Sequence, residues 1–439
     1  SQLLSPPVSP RCDRTKTSCA EHPPVSPHNK STMRIVIIGA GWGGQGVCKA
    51  LAAASLPADT SITCIDGADH LSIGATWQFE LEGRAAPVSL PLADSCAAPY
   101  LKRAAASTID YGAKTVALEG GEVVGYDRLV LACGAVSDPS SVPGLAEHAI
   151  DLSAKGFAAP IEAFFEALGA GKKTVHVAVA KAPYKCPPLP FEVAFLVDAI
   201  ARRRGVRDRV DIVVTYPVPW PFGGPKAKQA FAAAMDEKGI AYRPNTKLVS
   251  VAADGARKTT TLASTAEGAE GQVDDITSDL LLAVYPHRAP DLIAPALLNA
   301  KGSVPVDFRT SRVTKGGVAD VFCVGDACAA VLPSVGSPIP KAGEFAYKAG
   351  VAVGELLAAE LGGAEAPLPT ARSAQCVAES GDGEGIVVGP NFDAVFRDPD
   401  HGKPAFVIEP ASATGKVAWI QKFLDTFAPG KAPTFAPAA

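Results

Sequence analysis

At 439 residues the chain is too long for one ordinary hydrophobic core, so two or three domains are expected. Its apolar share of 47% suits a globular protein, and a formal net charge of −4 with no long basic stripe excludes a nucleic-acid-binding surface. The 10 cysteines form no disulfide framework, and no run approaches the roughly 18 apolar residues of a bilayer span, so any membrane contact is peripheral.

Residues 1–32 are rich in proline, serine and threonine, carry both charge signs and repeat the phrase Pro-Pro-Val-Ser-Pro at Pro6–Pro10 and Pro23–Pro27. Such a segment buries too little apolar surface to fold, and it lacks the apolar stretch of a secretory signal. It reads as a disordered leader ahead of Met33.

Met33 to Ile38 is a buried strand that runs into Gly39-Ala40-Gly41-Trp42-Gly43-Gly44 and then a helix. Gly39 permits the tight turn, Gly41 lets the backbone approach a pyrophosphate, and Gly44 lets helix pack on strand. The helix N-terminus offers unpaired N–H groups to phosphate. A second strand ends at Asp66, the interval at which an acidic residue accepts a ribose hydroxyl. Tyr126 to Ala135 is another buried strand, stopped by Gly134 after Ala132 and Cys133.

A second strand–turn–helix unit begins at Thr174, but its turn, Lys181 to Pro190, holds Pro183, Pro187, Pro188 and Pro190 where glycines would be needed. Proline has no N–H to give a pyrophosphate, so tight NAD(P) binding is disfavoured here. A strand and loop at Asp279 to Pro290 follow, then a strand ending in Gly325-Asp326, then a long helix from Pro340-Lys341-Ala342-Gly343. Short strands surround Cys376, and a terminal helix covers Lys416 to Phe427. There Trp419, Ile420, Phe423, Leu424 and Phe427 share one face, with Lys416, Lys422 and Asp425 off it. That face predicts a membrane-surface helix and quinone port; the alternative is packing on the protein's own core. His70, His176 and His287 share no ligand spacing, so no metal site is expected.

In this order, Gly39–Gly44, Asp66, the strand ending at Gly134, and Gly325-Asp326 resemble the two-dinucleotide-domain flavoprotein reductases. Within them, Ala182-Pro-Tyr-Lys-Cys-Pro-Pro-Leu-Pro-Phe-Glu192, Tyr285-Pro-His-Arg-Ala-Pro290 and Pro340-Lys-Ala-Gly343 are similar to the sulfide:quinone oxidoreductases and the flavoprotein subunit of flavocytochrome c sulfide dehydrogenase. The resemblance implies an α/β fold with two Rossmann-like FAD/NAD(P)-binding-type domains. The first spans 33–150 and is completed by 301–366; the second is 151–300; 367–439 supplies short strands and the terminal helix.

The resemblance also implies FAD in the first domain, with Asp326 on its ribityl–phosphate side and Lys341 to Gly343 aimed at the flavin ring. A helix N-terminus and an ammonium there would stabilise negative charge on reduced flavin. Cys186 and Cys376 correspond to the family's redox-active pair. Hydrosulfide attack on their disulfide gives a persulfide and frees a thiolate that can pass two electrons to the flavin. Lys185 is expected to favour the thiolate at an accessible Cys186. Gly67 to Arg84 contains no cysteine, so FAD should be noncovalent, and Cys133, in place of a threonine, is read as packing. His287 is either a base for incoming sulfide or a loop histidine.

The leading expectation is therefore an enzyme passing electrons from sulfide, or a small sulfur species, to quinone. Its location would be peripheral at a membrane of unspecified compartment. The alternatives are a haem (cytochrome c-type) acceptor, an NADH:quinone-type flavoprotein, and a flavin-binding redox module without turnover.

Overall fold

The computed structural model describes residues 33–219, 224–365 and 368–438; the expected leader lies outside them. In chain order the elements that position the site are β1 (Met33–Ile38), α1 (Trp42–Ala53), β2 (Thr60–Asp66), β3 (Leu101–Arg103), β4 (Arg128–Leu131) and β5 (Ile150–Asp151). These lead into β6 (Lys173–Val179), α2 (Leu189–Arg203), β7 (Val210–Thr215), β8 (Ala241–Arg243) and β9 (Leu280–Val284). The chain then forms β10 (Val321–Cys323), α3 (Gly343–Leu361), β11 (Cys376–Gly381), β12 (Glu384–Asn391), β13 (Ala405–Ser412) and α4 (Ala413–Phe427).

Two parallel five-stranded sheets result, ordered β10-β4-β1-β2-β3 and β5-β9-β6-β7-β8. Ile35 to Ile38, and Val175, Val177 and Val179, are aliphatic and buried, as parallel strands covered by helices must be. The return segment puts β10 beside β4, pairing Val321 with Leu129, so late sequence completes the first sheet.

The return helix is seated by glycine. A Cβ at Gly350 would stand 2.0 Å from the Gly43 carbonyl oxygen, so α1 and α3 touch through their backbones. This close crossing brings the N-terminus of α3 beside the glycine turn, where Trp42 covers Gly343.

Helix α2 is buried from Leu189 to Ala201. Its own sheet covers one side and β11 another, with Gly381 pressed against Ala199. The strands β11, β12 and β13 form an antiparallel sheet, after which α4 returns to the first domain.

There the structure corrects the reading of the terminal helix as a membrane-surface element. Ile420, Phe423, Leu424 and Phe427 pack in the same core as Ile35, Val47 and Val353, and Trp42 lies 4.7 Å from Phe423 between ring centroids. Lys416, expected off that face, is 2% exposed. An apolar stripe at helical period records that a face is covered, without saying whether lipid or protein covers it. No helix among the described residues is long and apolar enough to cross a membrane.

Candidate functional site

A cavity of about 240 Å³ lies where the two sheets' C-terminal turns meet the C-terminal sheet. Cys186, Cys376, Lys341, Asp326, Glu192 and Lys416 line it, with Trp42, Trp77 and Trp419 among its apolar walls.

The second turn reaches this cavity through the backbone. The Cys186 N–H donates to the Lys341 carbonyl at 2.9 Å, and Lys185 and Lys341 pair as a parallel bridge, so the proline turn is fastened to the first domain. Cys186 adopts φ +56°, the left-handed region that costs a non-glycine residue roughly 1–3 kcal/mol. Leu189 N–H donates to its carbonyl and opens α2. Cys376 enters from the other side as the first residue of β11. Both cysteines are free thiols in this structure.

Burial governs these thiols. The Cys186 thiol is pushed up to about 12 by desolvation and by Glu192, against the pull of Lys416 and Lys185. Cys376 is pushed up further by burial, with Cys186, Glu344 and Glu192 adding. The expectation that Lys185 would favour a thiolate at Cys186 is corrected: desolvation outweighs the neighbouring ammonium, which lies 5.7 Å from the Trp77 ring centroid.

Glu192 and Lys416 form a buried ion pair in the cavity wall. Glu192 also accepts from the Glu379 N–H at 2.9 Å, and Glu379 meets Arg84 at 2.8 Å. Burial raises the Glu192 carboxyl, opposed by Lys416 and reinforced by Glu379. In the sequence Glu192 stands at the end of the Ala182–Glu192 motif with no role of its own. The available signal was a glutamate in the first turn of an otherwise apolar helix.

Lys341 is buried, and its Nζ donates to the main-chain carbonyls of Asp326 and, at 3.3 Å, Cys328. The Asp326 carboxyl lines the cavity, raised by burial against the pull of Lys341 and Lys185.

The glycine turn is open to a ligand. Gly39 has φ +102°, and a Cβ there would stand 2.5 Å from the Ala132 carbonyl oxygen, so only glycine fits. At Gly41 a Cβ would meet nothing within 4 Å, which is the free space a pyrophosphate requires. Asp66 accepts from the Ala40 N–H at 2.7 Å and the Ala68 N–H at 2.8 Å, so it braces the turn besides its expected ribose role. Gly43 packs against Val324, just ahead of Gly325-Asp326. Cys133 and Gly134 end the neighbouring strand, and the Cys133 thiol, raised to about 11 by burial, packs in the first-domain core. These features fit the dinucleotide end of FAD.

His287 lies outside the cavity lining, pairs with Ser137 in a short antiparallel ladder, and is pushed down to about 4 by burial. Neither of its ring nitrogens makes a hydrogen bond among the described residues. No cluster of His, Cys, Asp or Glu among the described residues is arranged to hold a metal.

The family model described as pyridine nucleotide-disulphide oxidoreductase matches residues 33–350. The chain is 24% identical over 220 residues to the mitochondrial sulfide:quinone oxidoreductase of Mus musculus, a match covering 47% of this chain and 46% of that protein. It therefore spans less than half the length of that curated relative.

Among solved structures, the sulfide:quinone oxidoreductase of Aquifex aeolicus superposes with a TM-score of 0.73 at 18% identity, covering 90% of this chain and 91% of that one. NDH2 of Plasmodium falciparum in complex with NADH gives 0.63 at 11%, over 90% and 94%. The NAD-dependent persulfide reductase of A. fulgidus gives 0.56 at 18%, over 81% and 64%. At these identities the likeness shows a shared fold.

Proposed function

Since the chain belongs to the pyridine nucleotide-disulphide oxidoreductase family, a family of FAD-binding oxidoreductases, we propose that it oxidises sulfide, or a small sulfur species, through Cys186 and Cys376 and passes the electrons to quinone. The observation that carries this reading is the shared cavity: two cysteines distant in sequence face one space with Lys341 and the N-terminus of α3.

FAD would be held noncovalently by the Gly39–Gly44 turn, Asp66, Asp326 and Lys341 to Gly343. When bound, it supplies a two-electron acceptor beside the cysteines. In the oxidised pair, hydrosulfide attack on one sulfur breaks the S–S bond, forms a persulfide on that cysteine and releases the other as a thiolate. Two electrons then leave through that thiolate as its sulfur bonds the outer persulfide sulfur, which gives up its proton, so the pair ends bridged by one sulfur at the zero-valent level. Glu192, close enough to bias both thiols and raised by burial, is placed to take the proton that hydrogen sulfide gives up. Burial opposes a standing negative charge on either sulfur, so the thiolate is a high-energy donor.

Anaerobic titration with sulfide tests this reading. The yellow holoprotein should bleach, then recover on adding quinone. Cys186→Ser and Cys376→Ser should each bleach roughly a thousandfold more slowly or not at all. Unchanged bleaching in both variants would refute the cysteine route, and recovery with cytochrome c but not quinone would favour the haem acceptor.

A further inference from the structure

A second, much smaller cavity of about 30 Å³ adjoins the first, sharing Asp326, Lys341 and Ala342 with it. Ser311, Cys328 and Arg372 complete its polar lining. Arg372 is 4% exposed, yet its guanidinium makes no hydrogen bond or ion pair with any described residue, and one terminal nitrogen is fully enclosed. Its guanidinium stands 5.1 Å from the centroid of the Phe396 ring.

The backbone that carries it is anchored. Its main-chain N–H donates to Asp393 Oδ1 at 2.8 Å, and its carbonyl accepts from the Phe392 N–H at 2.8 Å. Burial pulls the guanidinium down to about 10, still far above neutrality, so the charge stays. Among the described residues the buried Lys416 is compensated by Glu192 and the buried Lys341 by two carbonyls, and the half-buried Arg84 pairs with Glu379. A buried, uncompensated charge is strongly unfavourable, so a counter-charge is missing at Arg372.

We infer that Arg372 holds a small monovalent anion, of halide or hydrosulfide size, in this second cavity. The cavity has about an eighth of the volume of the first, which favours a small anion over a nucleotide. Asp326 and Cys328 face the same space; Asp326 repels an anion, and the Cys328 thiol, raised by burial, stays protonated and can donate. The inference stands on Arg372 and does not depend on the sulfur chemistry proposed for Cys186 and Cys376.

The test is bromine-edge anomalous diffraction from crystals of the full-length, FAD-loaded protein soaked in sodium bromide. A bromide peak within hydrogen-bond reach of the Arg372 guanidinium is expected in the wild type and in Cys328→Ser, weaker in Arg372→Lys and absent in Arg372→Met. In solution, bromide should raise the melting temperature saturably in the wild type and not in Arg372→Met, with sodium sulfate at matched ionic strength as control. Loss of the peak after an anaerobic hydrosulfide soak identifies hydrosulfide as a competing occupant; its persistence assigns the site to halide. No peak in the wild type, or one that survives Arg372→Met unchanged, overturns the inference.

Discussion

The two strand–turn–helix units begin alike and end in opposite chemistry. After β1 the turn is glycine, its front is empty, and a Cβ at Gly41 would meet nothing. After β6 the turn is proline; its Cys186 N–H is engaged by Lys341, and the Tyr184 hydroxyl is turned inward onto the Pro187 carbonyl at 2.6 Å. The first turn thus keeps backbone donors for a ligand. The second uses its donor to join the two domains and presents a sulfur instead. One scaffold supports both outcomes, because the chemistry of such a turn lies in which N–H groups remain free.

The largest expected effect is a kinetic contrast between the turns. If the second cannot hold a pyrophosphate, NADH should reduce the flavin roughly a thousandfold or more slower than sulfide, with no saturation; stopped-flow absorbance measures both. Rapid, saturable reduction by NADH would break the comparison and favour the NADH:quinone reading.

The helix after the second turn depends on its buried ion pair. Lys416→Met leaves Glu192 without its counter-charge, which should lower unfolding free energy by about 3–5 kcal/mol in urea. The double variant Lys416→Met with Glu192→Leu should recover much of the loss. A single variant as stable as wild type would show that Glu192 is held neutral by other means.

How far the sequence reached follows from what each feature depends on. The glycine turn, the two parallel sheets and the proline-filled second turn were legible, because φ angles and missing N–H groups are local properties. Cys186 and Cys376 were named through family resemblance, and the fold places both in one cavity. Two things were beyond reach. The inward face of α4 has the same periodicity as a lipid-facing one, and only the fold shows that Phe423 meets Trp42. The thiol of Cys186 was judged from its neighbour in sequence, Lys185, whereas desolvation by the surrounding chain dominates. Lys416 failed for both reasons: its partner Glu192 is distant in sequence, and its burial is tertiary.

The second unit should also be the more acid-sensitive. His176 in β6 and His287 beside the first-domain strand are pushed down to about 3 and about 4 by burial, from an ordinary 6.5. Below that ordinary value the unfolded chain binds protons that the folded chain refuses. Stability is therefore fully present above about pH 6.5 and falls as pH drops toward 4. His287→Leu should remove up to roughly 2 kcal/mol of that dependence, read from urea unfolding at pH 7.5 and 5.0. An unchanged pH slope would mean that His287 titrates in the folded chain as it does in the unfolded one.

The smallest effect is the most selective, and it separates two glycines of the first turn. Gly41 has φ −70°, a backbone any residue adopts, and open space in front of it. Gly39 has φ +102° and the Ala132 carbonyl against it. Gly39→Ala should therefore destabilise the apoprotein itself. Gly41→Ala should leave the apoprotein's melting temperature unchanged while loosening FAD by about tenfold, roughly 1.4 kcal/mol, because the added methyl occupies the ligand's approach. Fluorescence titration of apoprotein with FAD reads the second number and thermal unfolding the first. If Gly41→Ala binds FAD as tightly as wild type, the space before the first turn is not where the pyrophosphate lies, and the contrast between the turns loses its chemical meaning.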